Sequence, residues 1–249
     1  MNTIKFSSLC LAACAAITAA AEGVAPNVKD VTLVQAPNRT VTVTYELENA
    51  PAVITFSVET NGPSGWARID SSALTATSGD LGKLVQPGSG RTITWKPRKD
   101  FKDVPLPAAR AVVTAWALDY TPDYMNVDLS PSAAPNSQEY YPGADFIPGG
   151  LLTKDDYRTT RLVMKKVMAK DVKWTMGSIT EEKNKWTHYV TLDHNYYIGV
   201  FEITQAQWKL LAGTDPSNYK GSYRPVEKVS YVSIRNAKAT DNTWAGGNW

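Results

Sequence analysis

The sequence predicts a mainly β front domain, built as a two-layer sandwich, followed by a mixed α+β segment. Three observations carry this. Residues 28–118 alternate apolar and polar side chains with period two. Turns rich in Gly and Pro cut that alternation into short strands. Behind Arg161 the alternation returns, then yields to a single capped helix beginning at Thr204.

The front strands are read in order. Val41, Val43, Tyr45 and Leu47 fall on one face, with Thr42, Thr44 and Glu46 on the other. Ile54, Phe56 and Val58 oppose Thr55, Ser57 and Glu59; Ile93 and Trp95 oppose Thr92 and Thr94. Val112, Trp116 and Leu118 are expected to close the series on the buried side. Successive strand side chains point to opposite faces, so this spacing suits antiparallel sheets with one face in a core. The separators are Ala36-Pro37-Asn38-Arg39, Asn61-Gly62-Pro63, Ser78-Gly79-Asp80 and Pro87-Gly88-Ser89-Gly90. Several short strands at this spacing suggest a sandwich of immunoglobulin or fibronectin type III kind over residues 24–119. No cysteine lies there, which excludes the inter-sheet disulfide and favours the fibronectin-like version, with Trp95 or Trp116 in the core. Trp66, behind Gly62-Pro63-Ser64-Gly65, is the candidate ligand-contact aromatic, a loop-borne ring on which a sugar would stack; its other reading is packing at the sandwich edge. Asn38-Arg39-Thr40 is an N-glycosylation sequon, which matters only in a eukaryotic secretory route.

The first 21 residues read as a signal peptide. Lys5 gives a positive start, Phe6 to Ile17 a short apolar run, and Ala19-Ala20-Ala21 small residues before Glu22. The expected location is extracytoplasmic: secreted, periplasmic or at the cell surface. Leu11-Ala12-Ala13-Cys14 also resembles a lipobox, which would make Cys14 a lipid anchor. Cys10 and Cys14 are the chain's two cysteines, so cleavage after Ala21 leaves none for disulfides, thiolate chemistry or soft-metal binding. No later segment is long and apolar enough to span a bilayer as a helix. Twenty-six basic against 24 acidic residues leave a formal charge of +2, and no basic stripe points to nucleic acid. Lys165-Lys166, the densest basic pair, reads as a solvated face.

From Tyr120 to Thr160 the periodicity fades. Pro122, Pro131, Pro135, Pro142 and Pro148 break helices, and Ser130 to Ser137 has linker composition. Residues 120–160 are therefore expected as a surface-packed join, with a second domain over 161–249. In that domain Leu162 and Met164 oppose Val163 and Val167, and the run leads through Val172 and Trp174 to Met176-Gly177-Ser178. Val190 and Leu192 mark the next strand, and Tyr196 to Ile203 another. Thr204 and Gln207 have the spacing of a capping box, Trp208, Leu211 and Ala212 that of a buried stripe, and Gly213 is placed to end the helix.

At these residues the chain resembles the formylglycine-generating enzyme family, also called sulfatase-modifying factors. The blocks are Met176-Gly177-Ser178, His188-Tyr189-Val190, Tyr197-Ile198-Gly199 and Glu202-Ile203-Thr204-Gln205, then Asp215-Pro216-Ser217-Asn218 and Pro225-Val226-Glu227-Lys228-Val229-Ser230-Tyr231. The resemblance implies a variant of the C-type lectin fold. It implies oxidation of a sulfatase cysteine to formylglycine, with dioxygen and a copper ion held by two cysteines, and a calcium site. The family's copper and calcium ligands lie in a carboxyl-terminal part that would fall beyond Trp249, so no catalytic, cofactor-binding or metal residue is carried over.

The remaining candidates have plainer readings. His188 and His194 alone do not make a zinc set, which needs three or four ligands; His188 reads as scaffold at a strand start and His194 as solvent-facing in a turn. Asp155-Asp156 and Glu181-Glu182 lack an EF-hand ligand series and read as surface charge. Tyr196-Tyr197 reads as core and rim. The expectation is an exported two-module protein with a truncated family-like domain, non-catalytic and acting as a binding or scaffold module. A glycan or a cell-surface or sulfatase protein is its expected partner. The alternative is part of a formylglycine-generating oxidase whose catalytic half is missing.

Overall fold

The computed structural model describes residues 24–101, 108–133, 137–177, 187–230 and 234. The leader with Cys10 and Cys14, Ser178, Glu181-Glu182, Tyr231 and Trp249 lie outside the described residues.

The front half holds β1 (Asn27–Gln35), β2 (Val41–Glu48), β3 (Ala52–Gly62), β4 (Gly65–Arg68), β5 (Thr77–Gly79), β6 (Leu84–Val85), β7 (Gly88–Trp95), a short helix α1 (Pro97–Asp100) and β8 (Ala109–Trp116). One sheet runs β1-β2-β7-β5; in the other β3 pairs with β4, β6 and β8. All the long pairings are antiparallel. The two sheets enclose one apolar core, as the period-two pattern requires. Val41, Val43, Tyr45, Leu47, Ile93 and Trp95 come from one side, and Ile54, Phe56, Val58, Ala111 and Val113 from the other. Trp95 is fully buried, and its indole N–H donates to Asp100 Oδ2 at 2.8 Å. The same carboxylate accepts from the Thr75 hydroxyl and the Ala76 N–H, so α1 is stitched to the strand it follows. A buried indole needs such a partner, because an orphaned donor in a core is costly.

The last front strand departs from expectation by one position. Its buried side chains are Ala109, Ala111, Val113 and Ala115, while Val112 and Trp116 face outward and Leu118 is exposed. Trp116 has partners on that outer face: its N–H donates to Thr55 Oγ1 at 2.8 Å, and its ring stacks on Tyr120 at 6.4 Å. Trp95, not Trp116, is the core tryptophan.

The back half holds β9 (Tyr124–Asp128), β10 (Gln138–Tyr141), β11 (Arg161–Val167), β12 (Lys173–Met176), β13 (His188–Thr191), β14 (Tyr196–Gly199) and helix α2 (Gln205–Ala212). Here residues 120–160 do more than join. β9 and β10 lie in one antiparallel sheet with β11 and β14, in the order β10-β9-β11-β14. The prolines bound these two strands rather than interrupting them. Tyr141, Ile147, Tyr157 and Val163 form a second core on one face of this sheet. The sheet also meets the sandwich: Tyr140 N–H donates to Gly82 O at 2.8 Å, Gly149 N–H to Ser72 O at 2.9 Å, and Arg68 pairs with Asp145.

The capping box of α2 forms as its sequence predicts. Thr204 Oγ1 accepts from Gln207 N–H, the Gln207 side chain accepts from Thr204 N–H, and Gly213 closes the helix with φ +71. The expected apolar stripe does not. Trp208 is buried, but its buried neighbours are Gln205 and Gln207, and Leu211 is exposed. The Gln207 amide donates to the Arg161 carbonyl, and the Gln205 amide to the Tyr219 carbonyl. Polar bonds, more than apolar contact, fasten this helix.

Candidate functional site

Trp66 stands on β4, in the hairpin it forms with β3. The Arg110 guanidinium lies 4.5 Å from its ring centroid, and Arg110 is in turn paired with Glu59. One ring face is thus occupied by a cation–π contact, and the side chain keeps 39% of its exposure.

The two histidines are both exposed. His188 opens β13 opposite Met176. His194 sits in the turn before β14, its Nδ1 against the Asp193 carboxylate, which that hydrogen bond holds below the usual carboxylate range. Asp156 pairs with Lys154 at the surface.

The copper and calcium implied by the family resemblance can be tested against donor chemistry. Residues 24–230 contain no cysteine, and among the described residues no three His, Cys, Asp or Glu side chains converge. A two-thiolate copper site does not fit these residues, so no chemical step is derived through it.

Sequence reading placed Lys166 in solvent. The structure buries it, with 3% of the side chain exposed. Its ammonium reaches the Thr121 carbonyl, lies 3.7 Å from Asp123 Oδ1 and covers the Tyr120 ring at 4.5 Å. Desolvation lowers its pKa, against an opposing pull from Asp123. Beside it the Tyr197 hydroxyl donates to Pro122 O at 2.5 Å and accepts from Thr121 Oγ1 at 2.7 Å; burial raises its pKa to about 12. Lys166 and Tyr197 grip the connector between the sandwich and the second sheet. The cation is sealed off, so it serves structure rather than chemistry on a substrate.

What remains open is a surface that sequence reading missed. β12 and β13 form a two-stranded ribbon outside the larger sheet. Pairing of Trp174 with Val190 and Met176 with His188 puts those four on one face; Lys173, Thr175, Tyr189 and Thr191 take the other. Among the described residues no core lies against either face: Trp174 is 43% exposed, Met176 50% and Tyr189 70%. The ribbon's root, where Lys170 bridges to Leu192, leads directly into the Val167–Tyr196 pair at the end of β11 and β14. There Tyr196 and Ile198 are exposed too. Exposed large apolar groups gathered in this way make the region a candidate for contact with a partner. The missed signal was alternation carried by aromatics at both parities of one ribbon, which no single core can bury.

The fold is β-rich, with several antiparallel sheets, and its ribbon leaves large apolar side chains exposed on both sides. No family model and no solved structure matches the chain. A stretch of 55 residues is 36% identical to the chaperone protein LppX of Paenibacillus barcinonensis, covering 22% of this chain and 20% of that protein. The chain thus matches about a fifth of that relative's length.

Proposed function

We propose that the chain is an extracytoplasmic two-module binding protein, with a fibronectin-like sandwich bracing a non-catalytic, formylglycine-generating-enzyme-like part that takes a protein partner. The observation that carries this reading is the set of exposed large apolar side chains between Met168 and Ile198. The leader-like start supports export. Among the described residues no helix is long and apolar enough to cross a membrane. The short similarity to a protein named a chaperone favours a polypeptide ligand over a glycan. The test is binding of the purified chain to a reduced, carboxymethylated, unfolded polypeptide, followed by fluorescence anisotropy. Trp174→Ala with Tyr189→Ala is expected to weaken it ~10-fold or more, since aromatic anchors dominate such contacts. Equal binding by the variant and the parent refutes the assignment of the surface. Retention on a glycan array that Trp66→Ala abolishes would favour the sugar partner instead.

The second reading, part of a formylglycine-generating oxidase, rests on the ordered series of family-like blocks from Met176 to Tyr231. Copper-dependent aldehyde formation on a Cys-x-Pro-x-Arg peptide by this chain would establish it over the binding module.

A further inference from the structure

Resting on that binding reading, we infer that β14 and the adjoining ribbon take an extended polypeptide segment in which apolar side chains alternate with carboxylates, added as a further strand. Three observations point to this occupant. First, β14 is the last strand of its sheet, and among the described residues only β11 pairs with it. Its outer edge therefore offers main-chain donors and acceptors to an incoming strand. Second, the side chains beside that edge are aliphatic and phenolic. Ile198 is 55% exposed and Tyr196 39%, with Met168 and Val172 exposed at the ribbon root. Such groups suit the alternate apolar side chains of a strand.

Third, the cations along this face lack carboxylate partners among the described residues. Lys165 is the ladder partner of Ile198 between β11 and β14, and its ammonium rests 5.9 Å from the ring centroid of Tyr124 on β9. Lys173 lies 3.9 Å from that of Tyr189. Asp193, the nearby acid, is engaged by His194. Ammonium groups held over rings in an apolar field attract carboxylates on an arriving chain, and more strongly at low ionic strength.

The experiment titrates the full chain with a labelled peptide of alternating Val and Glu, its Val and Lys counterpart, and a Val and Glu peptide N-methylated at every second residue. The expected result is saturable binding of the acidic peptide that weakens with added salt. The N-methylated and Lys peptides should bind ~10-fold or more weakly. Ile198→Asp should abolish binding, and Lys165→Glu should transfer preference to the Lys peptide, a reversal that loss of folding cannot produce. Circular dichroism confirms that each variant is folded. Equal binding of the acidic and Lys peptides, or no effect of N-methylation, overturns the inference. If the acidic peptide fails while the unfolded carboxymethylated polypeptide still binds, the strand-addition inference falls and the binding-module reading stands. If neither binds, both fall.

Discussion

At the scale of single residues, Lys166 gives the sharpest expectation. Its folded pKa lies below the ordinary lysine value because burial penalises the cation. The unfolded chain therefore binds more protons, and stability rises with pH up to the free-lysine value near 10.5. Tyr197 acts oppositely: with its pKa raised from 10.0 to about 12, stability falls as pH climbs through that window. Urea denaturation across this range should show a maximum near pH 10, and Lys166→Met should remove the rising limb. Replacement of a buried charge by an apolar side chain of similar size is often neutral or stabilising, so the variant should lose no more than ~1 kcal/mol at pH 7. An unchanged pH profile would refute this account of Lys166. The burial was legible in part. Lys166 shares the parity of Leu162 and Met164, but in sequence the lysine pair reads as a solvated face. What the parity lacked was the partner, because Thr121 and Asp123 lie far back in sequence, on a segment read as a join.

Among elements, local chemistry was read more reliably than packing. The Thr204 and Gln207 capping box and the Gly213 terminator follow from neighbouring residues alone, and all form. Thr204→Ala should cost about 1 kcal/mol in chemical denaturation, the usual loss for an N-cap hydroxyl. The loss is expected at the upper end of the usual range, because Thr204 Oγ1 also donates to the Arg158 carbonyl at 2.7 Å. The stripe of α2 failed because its depth is set by Gln207 reaching the Arg161 carbonyl on β11 and Gln205 the Tyr219 carbonyl on a loop, contacts that periodicity does not encode. The parity of β8 failed for a related reason. A tryptophan looks like core in sequence, yet Trp116 finds a stacking partner and an acceptor on the outer face, while small alanines line the inner one. Trp95→Ala should cost roughly 3–5 kcal/mol, as removal of a large core aromatic does. Trp116→Ala should cost less; the reverse order in thermal melts would contradict the placement of the two rings.

For the whole molecule, the organising fact is that β9 and β10 lie before Arg161 in sequence but share a sheet with β11 and β14. The composition of residues 120–160 is that of a linker, and only long-range pairing makes two short stretches of it strands. The sequence could therefore reveal two cores but not where one unit ends. A fragment of residues 24–119 should melt cooperatively. A fragment beginning at Arg161 keeps β11 but loses β9, leaving both its edge and the Val163 face without Tyr141 and Ile147, and should aggregate. A cooperative melt of that fragment would argue against the shared sheet.

Gly82 carries this to the level of descent. It has φ +71, and a side chain there would meet the Tyr140 backbone nitrogen at 3.2 Å and oxygen at 3.3 Å. Gly82→Ala should accordingly wedge the sandwich away from β10. A lineage carrying this contact is not free to trade its front cassette for another, as loosely strung beads are traded, unless the incoming cassette brings an equally bare turn.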